Sequence, residues 1–232
     1  MSVLYVVRHG QASFGQSDYD QLSPVGLRQA RLTGEHLAGL GVRLDAAFCG
    51  TQARQRDTAR EVLGRLEDSP EFAVLPGLDE YDSGLILEAL LPAMQAEEPA
   101  IAQALPSLYH DRRSFQIIYE GAMRRWISGR YDSGRAETWP GFLERAGAAL
   151  DQALATGGRG RAVALFTSGG PISAVLRRAL GLDDPTTLRM TWVVKNASIS
   201  TFFFNERDLT LSLFNSTAHL DLRGEPGLTT YR

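Results

Sequence analysis

The first apolar run, Val3-Leu4-Tyr5-Val6-Val7, is β-branched or aromatic with no polar face, which predicts a strand buried on both sides. It ends abruptly in Arg8-His9-Gly10, so the strand delivers these residues to its carboxyl end. The period then changes. Ser23-Pro24 offers a cap and a helix-compatible proline, and Leu27, Ala30, Leu37 and Leu40 recur at helical spacing until Gly41. Leu44 to Cys49 predicts a second strand. The polar turn Gly50-Thr51-Gln52 leads into a helix covering Arg54, Thr58, Val62 and Leu66, and Phe72 to Leu75 begins a third strand.

From Leu85 to about Pro140 the strand signal fades, prolines recur, and arginines stand at 112, 113, 124, 125 and 130. This stretch predicts an inserted, mostly helical lid. Alternation resumes with a helix over Gly141 to Ala155, a strand over Arg161 to Phe166, and a helix over Pro171 to Leu180 behind Ser168-Gly169-Gly170. Ser198 to Phe204 and Thr210 to Phe214 form a predicted hairpin around Asn205-Glu206-Arg207-Asp208, and the last residues read as a surface tail. The expected fold is therefore α/β: a three-layer sandwich with a mainly parallel sheet, helices on both faces, and a helical lid insertion at about 85–140 covering the strand carboxyl ends.

Size and charge narrow the reading. A chain of 232 residues with 44% hydrophobic content fits one core, so a single domain over 1–232 is expected. The 24 basic and 27 acidic side chains give a formal charge of −3 with no run of like charges, which argues against nucleic acid or membrane partners. Cys49 is the sole cysteine, so no internal disulfide or paired-cysteine metal site is available and a reducing compartment suits the chain. The first residues lack a basic leader region, and no apolar stretch approaches the roughly 20 residues of a membrane span. A soluble, cytoplasmic protein is expected, and apolar strand or lid faces would allow a homodimer.

Arg8-His9-Gly10 combines a nucleophile that titrates near neutrality, a permanent cation, and a glycine that permits close ligand approach. A lone strand-end histidine is more often an ordinary polar residue than a catalyst; its surroundings decide. Val6-Val7-Arg8-His9-Gly10-Gln11-Ala12-Ser13, then Leu22-Ser23-Pro24-x-Gly26-x-x-Gln29-Ala30, resemble the histidine phosphatase superfamily, also called the phosphoglycerate mutase-like family. Arg54-Gln55-Arg56-Asp57-Thr58-Ala59, Leu78-Asp79-Glu80, Asn196-Ala197-Ser198-Ile199 and Asn215 to Leu220 extend the resemblance across most of the chain outside the insertion.

The resemblance implies a metal-independent, cofactor-free phosphohistidine mechanism. His9 attacks phosphorus, Arg8 and Arg54 hold the equatorial oxygens, and a carboxylic acid protonates the departing alcohol. Physics agrees, because phosphoryl transfer spreads negative charge over oxygens that planar guanidinium groups stabilise and orient. Glu80 is favoured as the acid over Asp79 from its place in the Leu-x-Glu segment, with Asp82 a weaker alternative. Ser13, Ser168 and Gly169 complete the expected phosphate site.

One position departs from the family. The strand near the carboxyl end usually leads to a second histidine and glycines, whereas this chain reads Phe166-Thr167-Ser168-Gly169-Gly170-Pro171. Serine keeps a donor but carries no charge, so slower turnover is expected; the glycine-rich helix start still favours an anion. None of His36, His110 and His219 is placed by the motifs to replace the ring, and only His110, in the lid, is left open. The favoured function is hydrolysis of a small phosphomonoester through His9. Three alternatives stand beside it: a phosphate-binding pseudo-enzyme of the same fold, a phosphoglycerate mutase-type phosphotransferase, and a serine hydrolase using Ser168 with Asp183 or Asp184 and His219. The last lacks the glycine of a nucleophile elbow at Phe166 and leaves Arg8, His9 and Arg54 without a role.

Overall fold

The computed structural model describes residues 1–13, 20–107, 111–156 and 160–231; His110 lies outside them. By internal contacts the chain divides into two compact units, Met1–Glu80 with Arg145–Arg232, and Tyr81–Glu144.

The first unit is built on six strands: β1 (Ser2–Arg8), β2 (Ala46–Cys49), β3 (Phe72–Val74), β4 (Ala162–Thr167), β5 (Ile199–Phe204) and β6 (Leu209–Ser216). Their order is β3-β2-β4-β1-β5-β6. The β1–β4, β2–β4 and β2–β3 pairs are parallel; β5 and β6 close the sheet antiparallel. Side-chain alternation along β1 and β4 creates two apolar layers. Leu4, Val6, Val163 and Leu165 pack with Leu150, Ala153, Ile172, Val175 and Leu176 on one face. Val7, Ala164 and Phe166 pack with Leu37, Ala59, Val62 and Leu63 on the other. Burying a side chain such as Phe166 or Phe202 contributes about 2–3 kcal/mol.

The covering helices are α1 (Pro24–Gly39) and α2 (Ala53–Leu63) on one face. The second half of α6 (Trp139–Ala155) and α7 (Gly169–Leu180) cover the other. Ser23 caps α1 by accepting the Gly26 amide at 3.0 Å, with Pro24 at the first helical position. Helix α2 ends at Leu63, short of Leu66, where Gly64 takes the C-cap. Helix α7 starts two residues earlier than expected, at Gly169, because Ser168 adopts the extended N-cap conformation.

One helix was not anticipated, and one expectation needs correction. Asp184–Val193 is a helix, α8, capped by Asp183; only Thr187 and Leu188 are buried along it, so it shows no apolar stripe. The last residues are also no surface tail. Leu228 is 4% exposed, Thr230 exchanges bonds with Asn196, and Gln29 Nε2 donates to Leu228 O at 2.6 Å.

The second unit is helical: α3 (Ser83–Glu97), α4 (Pro99–Ala104), α5 (Arg112–Ser128) and the start of α6. Tyr81, Trp126, Trp139 and Phe142 form its aromatic centre, with ring centroids 4.8–5.9 Å apart. Arg125 Nη2 bonds Glu97 at 2.8 Å and Glu98 at 2.7 Å, so that arginine is committed within the unit. Asp82 caps α3 through the Leu85 amide at 3.0 Å and so has a local structural role. Among the described residues no helix is long and apolar enough to cross a membrane.

Candidate active site

The site forms where β1, β2 and β4 end. His9 follows β1, its amide donating to Thr167 O at 2.9 Å, and its side chain is only 4% exposed. Its carbonyl is fixed by the Ala197 amide at 3.1 Å and by Asn196 Nδ2 at 3.3 Å. Ala197 holds this contact with φ 54, a left-handed conformation costing a residue with a Cβ about 1 kcal/mol. Gly10 and Gly26 explain the two linked glycine motifs. A Cβ on Gly10 would lie 2.3 Å from Gly26 O, and one on Gly26 would lie 2.1 Å from Gln11 O. Backbone meets backbone there, so α1 presses directly on the loop that carries the histidine.

The imidazole is oriented at both nitrogens. His9 Nδ1 lies 2.7 Å from Gly10 O, which as an acceptor assigns the proton to Nδ1 and leaves a lone pair on Nε2. Arg54 Nε donates to Nε2 at 3.2 Å. Burial, then the Arg54 charge, then the Arg8 charge hold the imidazole pKa well below its ordinary value, against the opposing pull of the Gly10 carbonyl. His9 is thereby kept neutral at physiological pH, with Nε2 unprotonated.

Arg54 stands at the start of α2 and is 7% exposed, so it is no solvated helix arginine. Its Nη1 pairs with Asp20 Oδ1 at 2.7 Å and its Nη2 donates to Gln52 Oε1 at 2.7 Å. Asp20 Oδ2 also accepts the Ala53 amide at 2.7 Å, placing an internal carboxylate at the positive end of α2. Thr58 Oγ1 joins the helix to the loop, donating to Arg54 O at 2.7 Å and accepting the Gly10 amide at 3.0 Å. Arg8 turns toward the C-terminal segment, its Nη1 donating to Val194 O and, at 2.9 Å, to Tyr231 O.

The two adjacent carboxylates separate in role. Asp79 accepts the Thr51 amide and hydroxyl, both at 2.6 Å. Glu80 Oε2 instead accepts the Gly170 amide at 3.0 Å, at the start of α7. Arg145 Nη1 steadies the segment through Gly77 O at 3.1 Å and Asp79 O at 2.8 Å.

Ser168 is fully buried, its Oγ accepting Gln55 Nε2 at 2.8 Å. His219 bonds Thr33 at 3.0 Å and stacks on His36 at 5.3 Å; Asp183 caps α8, and Asp184 pairs with Arg177 at 2.7 Å. Each member of the imagined serine triad is engaged elsewhere. Ser168 also has ordinary extended backbone, φ −118 and ψ 176, rather than a strained elbow.

The structure thus gathers His9, Arg54, Glu80, Ser168 and Gly169 into one neighbourhood, with the Arg8 charge acting on His9. Ser13 sits one residue beyond the Ala12–Leu22 bridge, its amide donating to Gln21 O at 2.8 Å. Sequence reading missed Asp20, Gln52, Gln55 and Thr58 as parts of the site. Thr58 and Gln55 were visible only as members of the Arg54 to Ala59 helix motif, and Gln52 only as part of a polar turn. Among the described residues no group of three or more His, Cys, Asp or Glu is arranged to hold a metal ion.

Over 126 residues the chain is 29% identical to the serine/threonine-protein phosphatase PGAM5, mitochondrial, of Xenopus laevis. That match covers 53% of this chain and 41% of the relative, so the chain matches about two fifths of its curated relative's length. Its fold is similar to that of a phosphoglycerate mutase from Bacillus anthracis, with TM-score 0.66, 19% identity and 97% of each chain covered. It is also similar to a phosphoserine phosphatase mutant from Entamoeba histolytica in complex with phosphoserine, with TM-score 0.64, 19% identity, and coverage of 95% of this chain and 100% of that one. At such identities the likeness speaks for the fold. A family model described as "Histidine phosphatase superfamily (branch 1)" matches residues 4–217, and with the strand-end histidine and helix-start arginine in the expected register, the chain belongs to the histidine phosphatase superfamily.

Proposed function

We propose that the chain is a phosphomonoester hydrolase that works through a phosphohistidine on His9, without a metal, on a small phosphorylated substrate in the cytoplasm. The observation that carries this reading is the His9 ring itself: buried, neutral, protonated on Nδ1, with the Nε2 lone pair directed at Arg54. In the first step that lone pair attacks phosphorus and the phosphorus–oxygen ester bond breaks. The departing oxygen takes the bond's electron pair and a proton from the Glu80 carboxylic acid. In the second step water attacks phosphorus, its proton passes to the Glu80 carboxylate, and the phosphorus–nitrogen bond returns its pair to Nε2. Arg54 offsets the charge on the non-bridging oxygens by contact, and Arg8, turned toward Val194 O and Tyr231 O, adds its charge from a distance.

Hydrolysis is preferred to phosphotransfer because the second imidazole, useful for controlling two phosphoryl positions, is replaced by Ser168. The test is turnover of p-nitrophenyl phosphate without added metal. His9→Ala is expected to abolish it. Ser168→His combined with Gln55→Ala, which makes room for the ring, is expected to raise turnover about tenfold, the worth of one added charged hydrogen bond. A native chain inactive on this ester and on a panel of phosphometabolites refutes the hydrolase reading and favours the phosphate-binding pseudo-enzyme.

A further inference from the structure

Gln52 occupies the N-cap of α2, yet its side chain makes no capping bond. Asp20 supplies the cap instead, and glutamine is outside the short residues that cap well. The carboxamide turns into the site. Its Oε1 accepts Arg54 Nη2 at 2.7 Å and lies 3.4 Å from the Glu80 amide nitrogen and 3.5 Å from Ser168 Oγ. One neutral oxygen therefore meets the phosphate-side guanidinium, the backbone of the proposed acid, and the hydroxyl that stands where the family places its second histidine.

We propose that Gln52 is a positioning residue that holds Arg54 in register with the Glu80 segment, a role that rests on the hydrolase reading above. The three guanidinium nitrogens of Arg54 contact three different acceptors: His9 Nε2, Asp20 Oδ1 and Gln52 Oε1. Together these fix the plane of the fork. Asp20 is an anion, its side chain 39% exposed, so it competes with a phosphoryl oxygen for Nη1 and is the contact a substrate displaces. His9 Nε2 is consumed when the phosphoryl group bonds to it. Gln52 is neither charged nor bonded to phosphorus, so it sets the angle of the guanidinium when charge develops. A misplaced fork costs more in the transition state than in the ground state.

The experiment uses Gln52→Met, which keeps the side-chain length and removes the oxygen, with thermal unfolding to show that the variant folds. The kcat for p-nitrophenyl phosphate is expected to fall about tenfold with KM within about twofold of native. Binding of orthovanadate, which mimics the five-coordinate phosphorus, is expected to weaken about tenfold while inorganic phosphate changes less than about twofold. In an Arg54→Lys background the same substitution should shift vanadate binding by less than about twofold, because no fork remains to orient. Unchanged kcat and vanadate binding in Gln52→Met, or an equal loss in both backgrounds, overturns the proposal. A native chain that hydrolyses nothing defeats the hydrolase reading separately, and the vanadate-against-phosphate split still decides the role of Gln52. Failure to bind either anion overturns both.

Discussion

The contact between Gly26 and the histidine loop gives a sharp test of how α1 supports the site. In Gly26→Ala the new Cβ would lie 2.1 Å from Gln11 O and 2.8 Å from Gln11 N. These are backbone atoms, so no side chain can rotate away, and about 1 Å of separation must come from moving α1 or the loop. Overpacking of this kind costs about 1–3 kcal/mol or more, and the helix-propensity gain of alanine returns at most about 1 kcal/mol. The net loss is expected at about 2 kcal/mol, lowering Tm by about 4–8 °C for a chain of this length. Gly39, at the far end of the same helix, is the control: a Cβ there meets nothing within 4 Å, so Gly39→Ala is expected to stabilise by a few tenths to about 1 kcal/mol. Urea unfolding and calorimetry of both variants measure the pair. Because Gln11 is two residues from His9, Gly26→Ala should also lose activity at temperatures where it is still folded. A Gly26→Ala protein as stable as native refutes the reasoning.

Two further outcomes follow from buried groups. Burial first, then the neighbouring His36, lowers His219 to about 4, so between pH 6.5 and 4 the unfolded chain takes up a proton that the folded chain refuses. Stability from this residue is present above pH 6.5 and falls with acid by up to about 3 kcal/mol; urea midpoints across that range should decline, less so in His219→Gln, and parallel profiles would dismiss the effect. Cys49 is buried and its thiol is pushed up to about 11, mainly by desolvation. An alkylating reagent at pH 8 should therefore leave it untouched until denaturant is added, and rapid labelling of the native protein would contradict its placement.

The layered fold was legible because β1 and β4 are apolar on both faces, and only a strand covered on both sides carries such a run. The site was legible in part for a related reason. His9 and Arg54 lie next to strand and helix ends that the pattern located, and Glu80 rather than Asp79 faces α7 because Thr51 takes the aspartate. Helix α8 escaped because Asp184–Val193 buries Thr187 and Leu188 without a stripe, so only the Asp183 cap and Pro185 marked it. The C-terminal segment escaped because Gly224-Glu225-Pro226-Gly227 reads as turns, while its anchors, Gln29 and Asn196, lie far away in sequence. Gln52 and Asp20 escaped for the same physical reason. Polar loop residues carry no periodicity, and their partners are fixed only by tertiary closure.

The strand that carries His9 is held on both sides, by β4 and by β5, and the Arg8 and His9 amides end those two ladders at Ser198 O and Thr167 O. His9 is therefore anchored in the part of a sheet that opens last. Its amide should exchange with solvent only through global opening, and heat inactivation should trace the melting of the whole sheet. Activity lost below that temperature would come from the helix-borne groups, Arg54 and Gln52, while the histidine is still in place.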